Sequence, residues 1–589
     1  MKKFLTGNEA VARGAYEAGV TFASAYPGTP STEILENIGP YKGEIYAEWA
    51  PNEKVALEVA IGASIAGARA LAAMKHVGVN VAADPLFTYA YTGVNGGLIL
   101  VSADDPGMHS SQNEQDNRNY AKFAKIAMVE PSDSQESKDF VKIALEISEK
   151  FNTPVLFRMT TRICHSKGIV ELGEREEVAI KKYEKNIPKY VATPANGRVL
   201  HVKLEERLKQ LEEFSNTTEL NRIEWNDKKI GIISSGVAYQ YAKEVFGDKA
   251  SYLKLGFTFP LPMKKIREFA NQVETLYVIE ELEPFIEEQI KAAGIKCIGK
   301  EVIPRVGELN PDIIAKAILG KERETIKFDE SKLVGRPPTM CAGCPHRGFF
   351  YVLSKKKNIM VTGDIGCYTL GSAEPLNAMD TCICMGASIS TGHGAQVVFN
   401  KHGIDKRVVA VIGDSTFFHT GVTSLLDIAY NRSNTITVIL DNRITGMTGH
   451  QENPGTGYTL QGDKAPIINI PELCKAMGIK HVVTVNPLNL DEVNKALDDA
   501  LALDEPSVII TRWPCVLKKP TPEDIEEFGS EKTVCVVIED KCKSCRLCTK
   551  VGCPAIEFTD KAKINEHMCV GCEVCLQVCP FDAIEKVGE

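Results

Sequence analysis

The sequence predicts a multidomain α/β fold, with parallel sheets under helical covers and a small C-terminal α+β module. Three observations predict it. Short apolar runs alternate with helical stretches along most of the chain, as parallel sheets require. Two such runs, from Val408 and from Thr437, end in Asp414 and Asn442, 28 positions apart, which is room for one helical crossover. Eight of the 18 cysteines crowd between Cys542 and Cys579.

With 589 residues the chain exceeds what one core supports, and about three to five domains are expected. An apolar fraction of 44% with 25% charged residues is a globular profile. The net charge of −9 offers no field for phosphate backbones, so nucleic acid is not an expected partner. The N-terminus reaches Asn8, Glu9 and Arg13 without an apolar stretch like a signal peptide. The most apolar segment, Val55 to Met74, is broken by Glu58 and Arg69, so no membrane insertion is expected. A cytoplasmic location follows, where crowded cysteines serve metals better than disulfides.

Residues 1–180 open with small-residue helix signals and the turn Tyr26-Pro27-Gly28-Thr29-Pro30. Thr29 or Ser31 is expected to cap a helix from Thr32, and Ala56 to Ala73 reads as a Gly/Ala-rich helix. Strands are expected at Val79 to Ala83, Gly97 to Ser102 and Pro154 to Met159, with a polar loop from Asp104 to Glu114. Residues 181–226 are charged and irregular, a connector with a helix from Leu204 to Phe214. A second α/β unit, 227–325, starts with the strand before Gly236 and includes Thr275 to Ile279. A third, 326–519, holds the Asp414 and Asn442 strand ends, and a Pro/Glu-rich linker at 520–530 leads to the last module, 531–589.

That module carries Cys542, Cys545, Cys548 and Cys553-Pro554, then Cys569, Cys572, Cys575 and Cys579-Pro580. The second run has the spacing of bacterial two-cluster ferredoxins, whose fourth cysteine ligates the other run's cluster. One [4Fe-4S] cluster is then expected on Cys542, Cys545, Cys548 and Cys579, and another on Cys569, Cys572, Cys575 and Cys553. The first run has one extra residue before Cys553, expected to bulge the loop without removing a ligand. The alternative is a pair of four-cysteine zinc sites, which favour paired doublets over triplets followed by Cys-Pro.

Asp414 offers a carboxylate oxygen and Asn442 an amide oxygen to a hard ion such as Mg2+ at the carboxyl edge of a sheet, where ligands bind in open α/β folds. Amides at the start of the next helix suit a diphosphate. The alternative is a strand-end Asp-Ser cap and an unrelated turn asparagine.

Gly413 to Asn442 resembles the cofactor signature of thiamine-diphosphate enzymes, with Ser415 in place of a second glycine. With Cys341-Ala342-Gly343-Cys344-Pro345-His346-Arg347, Gly363-Asp364-Ile365-Gly366-Cys367, the Tyr26 to Pro30 turn and the cysteine module, the whole chain resembles the alpha subunits of indolepyruvate ferredoxin oxidoreductases. The resemblance implies thiamine-diphosphate-binding folds and a ferredoxin-like end. Residues 1–180 would be the pyrimidine-binding domain, 227–325 a transketolase-C-terminal-like domain, and 326–519 the diphosphate-binding domain.

The resemblance also implies roles. Mg2+ would take Asp414, Asn442 and the Ile444 carbonyl, with Gly413 and Ser415 beside the diphosphate. Glu53, with Glu48 as rival, would activate the aminopyrimidine ring. His346 and Arg347 would contact diphosphate or a developing oxyanion, and Thr29 would sit near substrate. Ser110, Ser111 and Gln112 would complete the pocket, and His109 is a candidate proton carrier. Related enzymes place a further cluster on cysteines matching Cys341, Cys344, Cys367 and Cys515; unligated thiols are the alternative. Cys382 and Cys384 are expected to be structural, flanking a buried turn.

The implied reaction is oxidative decarboxylation of an arylpyruvate through a thiamine-bound intermediate, with coenzyme A taking the acyl group. Electrons would leave through the clusters to external ferredoxin, and a beta subunit would complete an α2β2 complex. Two other readings remain open: a non-oxidative thiamine decarboxylase, and an electron-transfer subunit whose catalytic site lies on another chain.

Overall fold

A computed structural model describes every residue except Arg323, Thr325, Lys327, Ser530, Glu531, Lys532, Gly588 and Glu589. The expected linker end at Ser530 and module start at Glu531 therefore lie outside the described residues. The chain forms two compact units, Met1–Phe328 and Asp329–Glu589.

The first unit has a seven-stranded sheet in the order Phe257–Phe259, Ala127–Val129, Val155–Thr160, Leu98–Asp104, Ala70–Lys75, Phe22–Ala25, Tyr46–Trp49. All neighbours are parallel except the antiparallel edge strand Phe257–Phe259. Its inner strands are buried on both faces, as helical covers dictate. A four-stranded sheet follows, Thr275–Ile279, Ile230–Ser235, Ser251–Leu255 and Asn221–Glu224, the last antiparallel. Asn221–Glu224, expected in the connector, thus joins this sheet, and Phe257–Phe259 reaches from the second α/β region into the first sheet.

Two local expectations fail. The helix expected over Ala56 to Ala73 is Glu53–Ile65, and Ala70–Lys75 is a strand. Alanine-rich strands buried on both faces read as helix by composition. The break is Gly67, at φ 105°, where a Cβ would lie 1.9 Å from the Lys181 carbonyl oxygen. The strand expected over Val79 to Ala83 is instead divided between helices His76–Val81 and Ala83–Thr92. Ser31 precedes helix Thr32–Ile38 without capping it; its hydroxyl bonds the Gly28 carbonyl at 2.9 Å.

The second unit centres on a parallel six-stranded sheet: Thr381–Cys382, Ile359–Gly363, Arg407–Gly413, Ile436–Asp441, Ser507–Arg512, His481–Val485. Its end carries the cysteine module, where Cys535–Val537 pairs with Ile584–Lys586 and Ile556–Phe558 with Ala562–Ile564, both antiparallel. Part of the expected linker is a helix, Pro522–Phe528, closed by a capping box between Thr521 and Asp524.

The module shares the core of its own unit: Val551 and Val574 pack with Phe349, Phe350 and Leu376. Arg347, on helix His346–Leu353 and 2% exposed, fixes the joint. Its guanidinium donates to the carbonyls of Met340 (2.5 Å), Cys341 (3.0 Å) and Val551 (3.1 Å), and to that of Gly552. Gln577 adds a second tie, accepting from the Leu490 amide at 2.9 Å and donating to the Leu488 carbonyl at 2.8 Å. Arg347→Met strands these carbonyls at roughly 1 to 3 kcal/mol each. Thermal scans of the variant are expected to show cluster absorbance lost several degrees before the main unfolding step, where the parent loses both together.

Candidate functional site

In the first unit Glu53 opens helix Glu53–Ile65, whose N-cap Asn52 accepts from the Val55 amide at 2.9 Å. Glu53 is 5% exposed and packs against the helix after strand Ala70–Lys75. A Cβ on Gly78 would lie 2.7 Å from both Glu53 Cγ and Oε1, so only glycine admits the carboxylate there. The rival Glu48 is less buried and accepts from the exposed Tyr46 hydroxyl at 2.8 Å.

Thr29, half-buried, lies beside the polar loop, where Ser110 Oγ donates to its carbonyl at 3.4 Å. Asp105 gathers that loop, accepting from the Ser110 amide (2.9 Å), Ser111 Oγ (2.6 Å) and Thr161 Oγ1 (2.6 Å), bonds that hold its carboxyl below the usual range against burial. Gln112 is exposed, and His109 bonds Glu308 at 3.1 Å. His109 is thereby a surface clasp rather than a carrier facing a pocket.

In the second unit strand Arg407–Gly413 delivers Asp414 to the first position of a helix that runs to Asn431 through a π-turn at Phe417–Gly421. The start of this helix is where a diphosphate would sit. Gly413 is required, because a Cβ there would meet the Tyr368 ring at 2.5 Å. Ser415 Oγ accepts from Thr445 Oγ1 at 2.9 Å, which ties the helix start to the loop after strand Ile436–Asp441.

Asp414 is 3% exposed. Burial, with the Asp441 charge added, pushes its carboxyl up to about 8. The Asn442 amide oxygen lies 2.7 Å from the Ile444 carbonyl oxygen and 3.2 Å from Asp414 Oδ1. Three acceptors at such distances repel unless the amide turns its NH2 inward or a cation sits among them. Octahedral magnesium, with ligands about 2.1 Å away, sets neighbouring oxygens about 3 Å apart, so this donor set fits that ion. Asn453, 39 residues beyond Asp414 and missed in the sequence, steadies the carboxylate from Nδ2 at 3.2 Å.

His346 is 3% exposed, stands edge-on to Tyr368 with centroids 6.0 Å apart, and is lowered to about 4 by burial. Its imidazole is neutral. Arg347 points to the carbonyls described above, so the expectation that it contacts diphosphate is replaced by a structural role.

Cys341, Cys344, Cys367 and Cys515 lie within each other's electrostatic reach. Burial, then Cys367 and Cys515, pushes the Cys344 thiol up to about 12; burial, then Cys515 and Cys341, pushes Cys367 up to about 11. Bare thiolates are disfavoured there, and iron would reverse that preference. The Cys515 amide donates to the Asn442 carbonyl at 2.9 Å, so this group adjoins the Asp414 site. Cys384 and Ile383 are exposed, so the turn beside Cys382 is not the buried one expected.

Two pockets are lined by the module's cysteines. Cys542, Cys545, Cys548 and Cys579 line the first; Cys553, Cys569, Cys572 and Cys575 line the second, joined by Ala342 and Gly343. The crossed ligand sets predicted from the spacing thus come together. The sulfurs ring a cavity rather than converge: among the described residues no three His, Cys, Asp or Glu side chains are grouped to hold a single ion. Cys535, unremarked in the sequence, also lines the second cavity, and its amide donates to Cys569 Sγ at 3.4 Å.

Comparison with known proteins gives the class, that of thiamine-dependent oxidoreductases. Family models agree: "Pyruvate flavodoxin/ferredoxin oxidoreductase, thiamine diP-bdg" matches residues 13–214. "Thiamine pyrophosphate enzyme, C-terminal TPP binding domain" matches 364–511, and "4Fe-4S binding domain" matches 562–585. The chain is 42% identical to the indolepyruvate oxidoreductase subunit IorA of Archaeoglobus fulgidus, over 99% of this chain and 97% of that one. It is 43% identical to the IorA of Pyrococcus horikoshii, over 100% and 97%. The 2-oxoglutarate synthase subunit KorA of Methanothermobacter marburgensis is 27% identical over 54% of this chain and 98% of its own. The chain belongs to the indolepyruvate oxidoreductase IorA family. No helix among the described residues is long and apolar enough to cross a membrane.

Two substitutions test the site. Gly78→Ala is expected to displace Glu53 and cut kcat at least about tenfold with the circular dichroism spectrum unchanged. Cys579→Ser is expected to perturb the electron paramagnetic resonance signal of the cluster on the first cysteine run, although Cys579 belongs to the second.

Proposed function

We propose that this chain is the alpha subunit of a complex that oxidatively decarboxylates arylpyruvates such as indolepyruvate. The 2-oxoacid anion and the coenzyme A thiol give the acyl thioester, CO2, one proton and two electrons. Two oxidised ferredoxins each take one electron. One observation carries the reading: within the second unit, the Asp414 and Asn442 site adjoins Cys515, and the Cys341 to Cys344 loop lines the next cysteine cavity.

Asp414, Asn442 and the Ile444 carbonyl would hold Mg2+, and the amides after Gly413, at Ser415 and beyond, would receive the diphosphate. Bound thiamine diphosphate supplies the electron sink for the 2-keto carbon. Glu53 would hold the proton on the aminopyrimidine edge, Thr29 would face substrate, and His346 would act as a neutral hydrogen-bonding group beside the cofactor. Cys341, Cys344, Cys367 and Cys515 would carry a third [4Fe-4S] cluster. Cys553, Cys569, Cys572 and Cys575 would hold another cluster and Cys542, Cys545, Cys548 and Cys579 a further one, groups that would supply one-electron transfer toward ferredoxin. That last cavity is rimmed by the exposed Lys543 and Arg546, a cationic collar suited to an acidic ferredoxin.

The domain limits read from the sequence belong to this proposal, as do a beta subunit in an α2β2 assembly and a cytoplasmic site, where thiol ligands stay reduced.

Anaerobic purification with iron and thiamine quantification tests the reading. About twelve irons per chain are expected for three four-iron clusters; about eight would remove the relay's first member. Asp414→Ala is expected to lose bound thiamine diphosphate and substrate-driven ferredoxin reduction while keeping its iron. Full activity in that variant would sink the assignment.

A further inference from the structure

Strand Ala70–Lys75 ends at the Tyr26 to Pro30 turn, and its last residue was not singled out in the sequence. Lys75 packs so closely on that turn that a Cβ on Gly28 would sit 3.1 Å from Lys75 Cβ. Its Nζ donates to the Ser110 carbonyl at 2.5 Å. This fastens the ammonium between two segments of the first unit, Tyr26 to Pro30 and Asp104 to Glu114. An ammonium has three donors, and this bond uses one.

Lys75 stays only partly exposed, yet among the described residues no ion pair engages it. Burial lowers its ammonium to about 8, while Asp105 and Glu53 resist that shift. Asp105 itself is committed to Ser110, Ser111 and Thr161. Glu53 packs against Gly78. The neighbouring His76 is fully buried and turns its Nε2 to Asn113, 3.2 Å away, so it offers no competing cation at the pocket. A half-desolvated cation bonded only to a neutral carbonyl is a receptor for an anion, since charge-assisted pairing gains most where water is scarce.

We propose that Lys75 is the carboxylate clamp of the substrate pocket, its ammonium receiving the carboxylate of the 2-oxoacid beside Thr29 and Ser110. The assignment rests on the reaction proposed above and adds to it the group that tells an acid from its uncharged analogue. A single ammonium grips one end of the carboxylate and leaves the bond to the 2-keto carbon free to break. The clamp therefore acts on binding more than on the later loss of CO2, and KM should move more than kcat.

The test uses the purified complex and two isosteric probes, indole-3-acetate and indole-3-acetamide, titrated calorimetrically without coenzyme A. The parent is expected to prefer the acetate by about 10- to 100-fold. Lys75→Met is expected to abolish that preference while keeping acetamide affinity, thiamine diphosphate content and iron content. Lys75→Arg is expected to retain part of it. Loss of a merely structural tie to Ser110 would weaken both probes alike, and that outcome overturns the clamp. So does a Lys75→Met complex that still prefers the acetate. If the acetate preference depends on Lys75 but the parent complex does not turn over indolepyruvate, the clamp stands and the proposed reaction falls.

Discussion

The second unit is organised around two strand ends that meet at the carboxyl edge of its parallel sheet. Asp414, Asn442 and the Ile444 carbonyl crowd within hydrogen-bond distance at the carboxyl edge of a parallel sheet, with a second carboxylate, Asp441, close enough to raise Asp414 further. The Asn442 amide satisfies both neighbours by turning its NH2 inward, and with its oxygen inward the three groups would suit a divalent cation. The sheet makes their meeting inevitable: strands Arg407–Gly413 and Ile436–Asp441 are parallel neighbours in register, Gly413 opposite Leu440, so their following residues emerge side by side. The π-turn and the Thr445 to Ser415 bond then hold helix and loop at fixed separation.

The position of Cys515 follows from the same edge. The strand next to Ile436–Asp441 is Ser507–Arg512, and its continuation puts Cys515 against Asn442. The helix carrying Arg347 turns the Cys341 to Cys344 loop toward the second cysteine cavity and is bonded to the module by that same arginine. A side chain expected to bind the cofactor instead ties the helix to the cysteine module through backbone carbonyls.

Much of this was legible in the sequence because it is local or periodic. Cysteine triplets spaced by three announce clusters, and an apolar run ending in Gly-Asp announces a strand end. What was not legible is what depends on packing. Ala70 to Ala73 passed for the end of a helix because alanine suits a strand buried on both faces, and the strand end at Lys75 went unread. Asn453 and Gly78 matter through contacts that only the fold creates. The eight cluster cysteines stood out through their spacing, whereas Cys535 has no partner at a regular interval and shows itself only as lining of the second cavity.

The central claim is that electrons released at a thiamine site in this chain pass one at a time into its own cysteine-held clusters. Freeze-quench electron paramagnetic resonance of the complex mixed with indolepyruvate, with ferredoxin withheld, tests it most directly. The account predicts reduced-cluster signals that rise within the time of a turnover and require bound thiamine diphosphate. Product formed at full rate while every cluster stays oxidised would contradict it.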